Sequence, residues 1–195
     1  MVARKEYSDA PVFYGSGKST RFSSPSAKYG VTYLARTKEA AFAETIRDSK
    51  LHYDANDNLC IYESELEQLE LHSFKLKKGK ARVIDLTGPG CDKIGARVEC
   101  FTQGTAQGYR ISQQWARELM THPVAAAGLL YLGNRSADTC VALFGEIGKT
   151  GFENSIGNVE EMTIQRKTTP LGADGSFIRW LKEVDIQLTP SISTL

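Results

Sequence analysis

The chain has 195 residues, 41% hydrophobic and 24% charged, with 24 Lys+Arg set against 23 Asp+Glu. That length suits one domain of ordinary size, and that composition excludes wholesale disorder. A formal net charge of +1 lacks the basic excess of a dedicated nucleic-acid binder, so no direct nucleic-acid partner is expected. The longest apolar stretch, Val124 to Gly133, has ten residues. A bilayer-spanning helix needs about 20, so no membrane span is expected. The opening Met-Val-Ala-Arg-Lys-Glu has no apolar core of the secretory kind. Cys60, Cys91, Cys100 and Cys140 form no CxxC pair. Free thiols in a cytoplasmic protein are the simplest expectation.

In chain order, Pro11–Tyr14 reads as a short strand before a long Gly/Ser/Lys/Pro-rich loop. Gly30–Ala35 alternates, with Val31, Tyr33 and Ala35 on one face, and predicts a strand. Thr37 is the expected N-cap of a helix from Lys38 to about Ser49, because its hydroxyl can accept a first-turn N–H. Leu59–Glu65 and Leu69–Leu76 read as strands of mixed character. Lys80–Leu86 is a clearer strand, stopped by Thr87-Gly-Pro-Gly90. Ser112–Thr121 has helical composition and Pro123 closes it. Ala126–Leu132 and Cys140–Gly145 predict two buried, neighbouring strands. Phe177–Leu188 fits helix or strand. Strands interspersed with a few helices give an α/β or α+β domain around a single mixed sheet. With no repeat or low-complexity boundary, residues 1–195 read as one domain.

Several motifs carry less than they promise. Gly15-Ser-Gly-Lys-Ser-Thr20 ends like a phosphate-binding loop, with Lys18 as its cation. Val12 stands where the first glycine is needed, and Arg21-Phe-Ser-Ser-Pro25 does not open a helix, so the cradle is incomplete. His52, His72, His122 and the cysteines show no metal-ligand spacing, so no metal is expected. No GxSxG elbow accompanies the serines. Glu63, Glu65, Glu67 and Glu70, followed by Lys75, Lys77, Lys78 and Lys80, read as a solvated hairpin with cross-strand charge pairs.

The informative segment runs from Arg21 to Glu44: an Arg in a loop, a Tyr in the next strand, then a helix bearing a Glu. Tyr33 and Glu44 lie eleven residues apart across one strand-to-helix turn, so both can project into one cleft. Taken singly, each has an ordinary reading: a surface arginine, a packed tyrosine, a solvated glutamate.

Together, Arg21-Phe22, Tyr33-Leu34-Ala35 and Ala40-Ala-Phe-Ala-Glu44 resemble the RES-domain family, the toxin half of bacterial toxin–antitoxin pairs. Arg82-Val-Ile-Asp-Leu86, Gln113-Gln-Trp-Ala116, Gly128-Leu-Leu-Tyr131 and Cys140-Val-Ala-Leu-Phe144 follow in the family's order. The resemblance spans about residues 12–146. One departure stands out. The family places a Ser about two residues after the second tyrosine, and that slot here is Gly133; Asn134 or Ser136 is the candidate replacement. The resemblance implies a fold similar to the ADP-ribosyltransferase toxins and a site that binds and cleaves NAD. It also implies an enzyme that passes ADP-ribose to a protein or releases it to water or phosphate, and a helix-turn-helix-type antitoxin that forms a hetero-oligomer with it.

The residue chemistry agrees with that implication. A guanidinium grips pyrophosphate oxygens, which suits Arg21. A fixed carboxylate stabilises an oxocarbenium-like ribosyl cation, which suits Glu44. A tyrosine ring can pack against nicotinamide or its ribose, which suits Tyr33. Asn134, Ser136 and His52 complete the expected binding set. The alternative is a non-catalytic binding module that keeps the fold, and the missing serine at 133 is the feature that favours it.

Overall fold

The computed structural model describes residues 1–16, 20–102, 104–157, 159–160 and 162–190. The lysine of the Gly-rich motif, Lys18, lies outside the described residues. Its sequel from Thr20 is a turn, not a helix.

Ten strands and six helices occur among the described residues: β1 (Val2–Arg4), β2 (Gly30–Ala35), α1 (Lys38–Ser49), β3 (His52–Tyr53), β4 (Leu59–Tyr62), α2 (Glu63–Leu66), β5 (Leu69–Lys78), β6 (Val83–Asp85), α3 (Gly88–Lys93), α4 (Glu99–Thr102), α5 (Ala106–Thr121), β7 (Gly128–Leu132), β8 (Thr139–Gly145), β9 (Thr163–Pro170), α6 (Gly175–Glu183) and β10 (Gln187–Thr189). The architecture is mixed α and β, as expected. The strands divide among three small sheets rather than one: β2-β8-β7-β6, β1-β5-β9 and β10-β4-β3. The reason is strand length. The two- and three-residue strands β1, β3 and β10 build separate satellites, β1 on the long β5/β9 ribbon and β3 and β10 on β4.

The four-stranded sheet carries the site. β2 pairs antiparallel with β8, β8 with β7, and β7 runs parallel to β6. β2 is therefore an edge strand. Ala126–Leu132 and Cys140–Gly145 are neighbours as the apolar runs require, with Leu129 opposite Ala142. One face of this sheet buries Phe22, Tyr29, Val31, Leu86, Phe101, Ala116, Leu129 and Phe144. α5 covers it with Ser112, Ala116 and Leu119, an i, i+4, i+7 stripe. A second core joins α1 to α6, where Phe42 meets Phe177 and Trp180 edge-on and tilted at 5.1 and 5.7 Å.

Thr37 caps α1 as expected, its hydroxyl accepting from Ala40 N at 3.2 Å. Pro11–Tyr14 makes one isolated bridge, from Phe13 to Thr150, rather than a strand. Leu59–Glu65 breaks after Tyr62 into the single turn of α2. The Thr87–Gly90 stop ends β6, and its Gly-Pro then opens α3, because proline is tolerated in a helix's first turn. Phe177–Leu188 contains both alternatives, α6 and then β10. The acidic and basic stretch is not a hairpin. Glu63 and Glu65 sit on α2, while Lys75, Lys77 and Lys78 lie on β5, whose partners are β1 and β9. Lys80 pairs instead with Glu160 at 2.9 Å.

Candidate active site

The segment that carries Arg21 has no regular structure, so its shape comes from side chains that grip its backbone. Gln113 Nε2 donates to Thr20 O at 2.8 Å, and Ser112 Oγ donates to Arg21 O at 2.7 Å. Phe22 N donates to the Tyr33 hydroxyl at 3.0 Å, and Tyr29 OH donates to Phe22 O at 3.3 Å. Three consecutive residues are thus fixed from α5 and β2. Arg21 is 7% exposed. Its guanidinium lies 5.2 Å from the Tyr131 ring centre, and Nη1 donates to Leu132 O at 3.1 Å. The cation–π contact and the carbonyl supply part of the solvation that the burial removes. They also leave further N–H donors of the fork for a ligand.

Tyr33 stands on β2 beside it. Its hydroxyl bonds Thr20 Oγ1 at 2.9 Å, and its ring is stacked near Phe22. Burial raises its phenol above the usual value, against the opposing hydrogen bonds from Thr20 and Phe22 N. Tyr33 is thus held as a neutral phenol on the wall of the cleft.

Glu44 faces the cleft from α1. Its Oε1 accepts from Arg135 N at 2.7 Å, Ser136 N at 3.0 Å and Ser136 Oγ at 3.2 Å. The loop after β7 therefore clamps one carboxylate oxygen with three donors, while no hydrogen bond to Oε2 occurs among the described residues. Gly133 makes the clamp possible. A Cβ there would lie 2.5 Å from both Glu44 Oε1 and Ser136 Oγ. A side chain at 133 would therefore crowd both the carboxylate oxygen and the Ser136 hydroxyl that donates to it. The loop is tied back to α1 as well: Thr37 Oγ1 donates to Asp138 Oδ2 at 2.6 Å, and Asp138 N donates to Ser136 Oγ at 3.2 Å.

Arg21, Tyr33, Glu44 and Asn134 line one cleft of about 510 Å³, with Phe13, Thr20, Tyr109, Tyr131 and Cys140. That size is in the range of small-molecule sites. Asn134 Oδ1 is buried there without a hydrogen-bond partner. Burial, then the Glu44 charge, pushes the Cys140 thiol up to about 11, so it is an inert wall group. His52 is not brought to the cleft. It sits on β3 with its ring against Tyr62 and Nε2 3.0 Å from Glu65 Oε2. A larger cavity of about 700 Å³, bounded by Phe74, Phe152 and Ile164, holds none of Arg21, Tyr33 and Glu44.

Sequence reasoning gave no site role to Ser112, Gln113, Tyr109 or Tyr131, although Gln113 and Tyr131 stand in the motifs that carry the resemblance. The legible signal was two polar residues, Ser112 and Gln113, on the buried face of an amphipathic helix. No group of three or more His, Cys, Asp or Glu side chains suited to a metal occurs among the described residues. No described helix is long and apolar enough to cross a membrane.

A family model for the RES domain matches residues 1–165. The chain belongs to the RES domain family. The match runs from β1 to the start of β9, and so includes every residue of the cleft. α6 and β10 lie beyond it. No curated protein matches the chain. RES domains are associated with NAD processing in general.

Proposed function

We propose that this RES domain is an NAD-consuming toxin of a toxin–antitoxin pair, which breaks the nicotinamide–ribose bond in the cleft between α1 and the 20–24 segment. One observation carries the reading: Glu44, with Oε1 held in a three-donor clamp, lines the cavity it shares with Arg21 and Tyr33.

In this reading Arg21 binds pyrophosphate oxygens with its remaining N–H groups. The nicotinamide ribose lies between Tyr33 and Glu44. When the bond from ribose C1′ to the nicotinamide nitrogen breaks, the electron pair leaves with nicotinamide, which departs neutral. The positive charge moves to the ribose, and the Glu44 carboxylate is already oriented toward it. Because the clamp is in place before reaction, no reorganisation is needed as the charge develops. The cation is captured by water, by phosphate or by a side chain of a target protein, with loss of a proton from the nucleophile where it carries one. The same site chemistry serves all three acceptors. The feature that favoured a non-catalytic module was the missing serine at 133, and Ser136 supplies its hydroxyl.

The expected partner is a helix-turn-helix-type antitoxin in a hetero-oligomer that blocks entry to the cleft. Incubating the protein with NAD labelled in the adenylate half and with cell lysate tests the reaction. Label that stays in small molecules means hydrolysis or phosphorolysis, and protein-bound label means ADP-ribosylation. Intact NAD overturns the proposal.

A further inference from the structure

We propose that Gln113 of α5 is a positioning residue for Arg21, and that dinucleotide binding depends on it from outside the cleft. The inference rests on the reading of the cleft as an NAD site. Gln113 itself does not line the cleft, although Tyr109, one turn earlier on the same side of α5, does. Gln113 is 6% exposed, on the buried side of an amphipathic helix. A buried amide costs free energy unless it is hydrogen-bonded, and an apolar side chain would avoid that cost. Here the amide Nε2 donates to a backbone atom of the site, Thr20 O, at 2.8 Å.

The backbone around Arg21 shows why that atom matters. Peptide groups are planar, so the two planes that flank a Cα set the direction of its side chain. Thr20 O lies in the plane before Arg21. Arg21 O and Phe22 N lie in the plane after it. That second plane is held from two elements: Ser112 Oγ donates to Arg21 O at 2.7 Å, and Phe22 N donates to Tyr33 OH at 3.0 Å. The first plane is held from outside by Gln113. Ser23 N also reaches Thr20 O, at 3.3 Å, but it belongs to the same turn and moves with it. The Thr20 hydroxyl bonds Tyr33 OH at 2.9 Å, which restrains a side chain rather than the plane. No other hydrogen bond to Thr20 O or Arg21 N from outside the 20–24 segment occurs among the described residues.

Arg21 needs this restraint. Its guanidinium is buried and shares the cleft with the Glu44 carboxylate. Opposite charges attract strongly where water is scarce. Yet no ion pair joins them among the described residues. Arg21 Nη1 donates instead to Leu132 O, and the guanidinium lies by the Tyr131 ring. A backbone held in both planes keeps the fork on those partners, with its remaining N–H groups in place before a pyrophosphate arrives. Loss of Gln113 frees the first plane. Loss of Ser112 leaves the second still held by Tyr33, so its effect is smaller.

The test is steady-state NAD consumption by wild type, Gln113→Met, Gln113→Glu and Ser112→Ala, with inorganic pyrophosphate as competitive inhibitor. Methionine keeps the length and the helix preference but has no donor. For Gln113→Met, KM for NAD and Ki for pyrophosphate should each rise about tenfold, with a smaller fall in kcat. Ser112→Ala should raise both by a smaller factor. Gln113→Glu keeps an O–H donor while protonated. Relative to wild type, its KM should be near normal at low pH and should climb as pH rises. An unchanged KM in Gln113→Met, a kcat loss as large as the rise in KM, or a larger effect from Ser112→Ala overturns the Gln113 assignment while NAD consumption stands. So does failure of pyrophosphate to inhibit the wild type. Should Gln113→Met not fold by circular dichroism, the Gln113→Glu profile decides, and a profile parallel to wild type overturns the assignment. A wild-type protein that neither consumes nor binds NAD overturns the function reading, and the Gln113 role with it.

Discussion

Gly133 and Ser136 are the residues on which the site's geometry turns. A serine at 133 matches the family pattern that this chain departs from, yet its Cβ would meet Glu44 Oε1 and Ser136 Oγ at 2.5 Å. The carboxylate would have to leave its clamp by a large fraction of an ångström. Misplacement on that scale can cost about a hundredfold in rate. Gly133→Ser is therefore expected to lower kcat for NAD consumption by one to two orders of magnitude, at about ten- to hundredfold, with the fold retained by circular dichroism. The double change Gly133→Ser with Ser136→Gly should recover part of that loss, because the new hydroxyl takes the vacated place. A single mutant with normal kcat would mean that the clamp does not position Glu44.

At the scale of elements, α1 carries Glu44 and is held at its start in two ways. Thr37 caps the helix and donates to Asp138, whose carboxyl is held below the usual range first by that hydrogen bond and then by Thr139 N. Thr37→Ala should destabilise the protein by about 1 kcal/mol. It should lower kcat by more than a remote substitution of equal stability cost, because the Asp138 tie to the Glu44 loop is lost too. Thermal melts and NAD kinetics on one preparation separate the two effects. Asp174 joins α1 to α6 from the other side. Burial alone would raise its pKa, but hydrogen bonds from Lys38, Ser176 and Phe177 N outweigh it and hold the carboxyl at about 2. A carboxyl depressed on folding stabilises above its unfolded value, near 3.9, and that stability is lost as pH falls through about 2. Urea midpoints should therefore drop between pH 4 and 2, and Asp174→Asn should flatten that drop. An identical pH slope in the variant contradicts the assignment.

These elements also show what was legible in the sequence. β2 and α1 announce themselves by alternation and by a cap, and the structure has them at the expected residues. β7 and β8 follow from apolar runs of strand length. β1, β3 and β10 are too short to leave a period, and each exists through pairing to a partner far away in sequence or just across a turn. The hairpin expected from the Glu and Lys runs failed because opposite charges in sequence say nothing of which strand β5 will find. Its partners come from residues 2–4 and 163–170.

Across the whole molecule, the cleft gathers residues from the 20–24 segment, β2, α1, α5 and the loop after β7. Arg21, Tyr33 and Glu44 could be suspected from one short stretch. Ser112, Gln113 and Tyr131 could not be given roles, because their contacts with that stretch span about ninety residues or more and arise only when the sheet closes. His52 shows the converse: proximity in sequence to Glu44 placed it near the site, and the two-residue β3 carried it to Glu65.

The central claim is that Glu44 meets a charge that exists mainly in the transition state, while Arg21 meets phosphates present throughout. Glu44→Gln keeps the shape and removes the charge. Kinetics of NAD consumption for Glu44→Gln beside Arg21→Ala test this most directly. Glu44→Gln is predicted to lose about a hundred- to thousandfold in kcat, with KM changed far less. Arg21→Ala is predicted to raise KM as well as lower kcat. A Glu44→Gln enzyme with near-normal kcat would contradict the account.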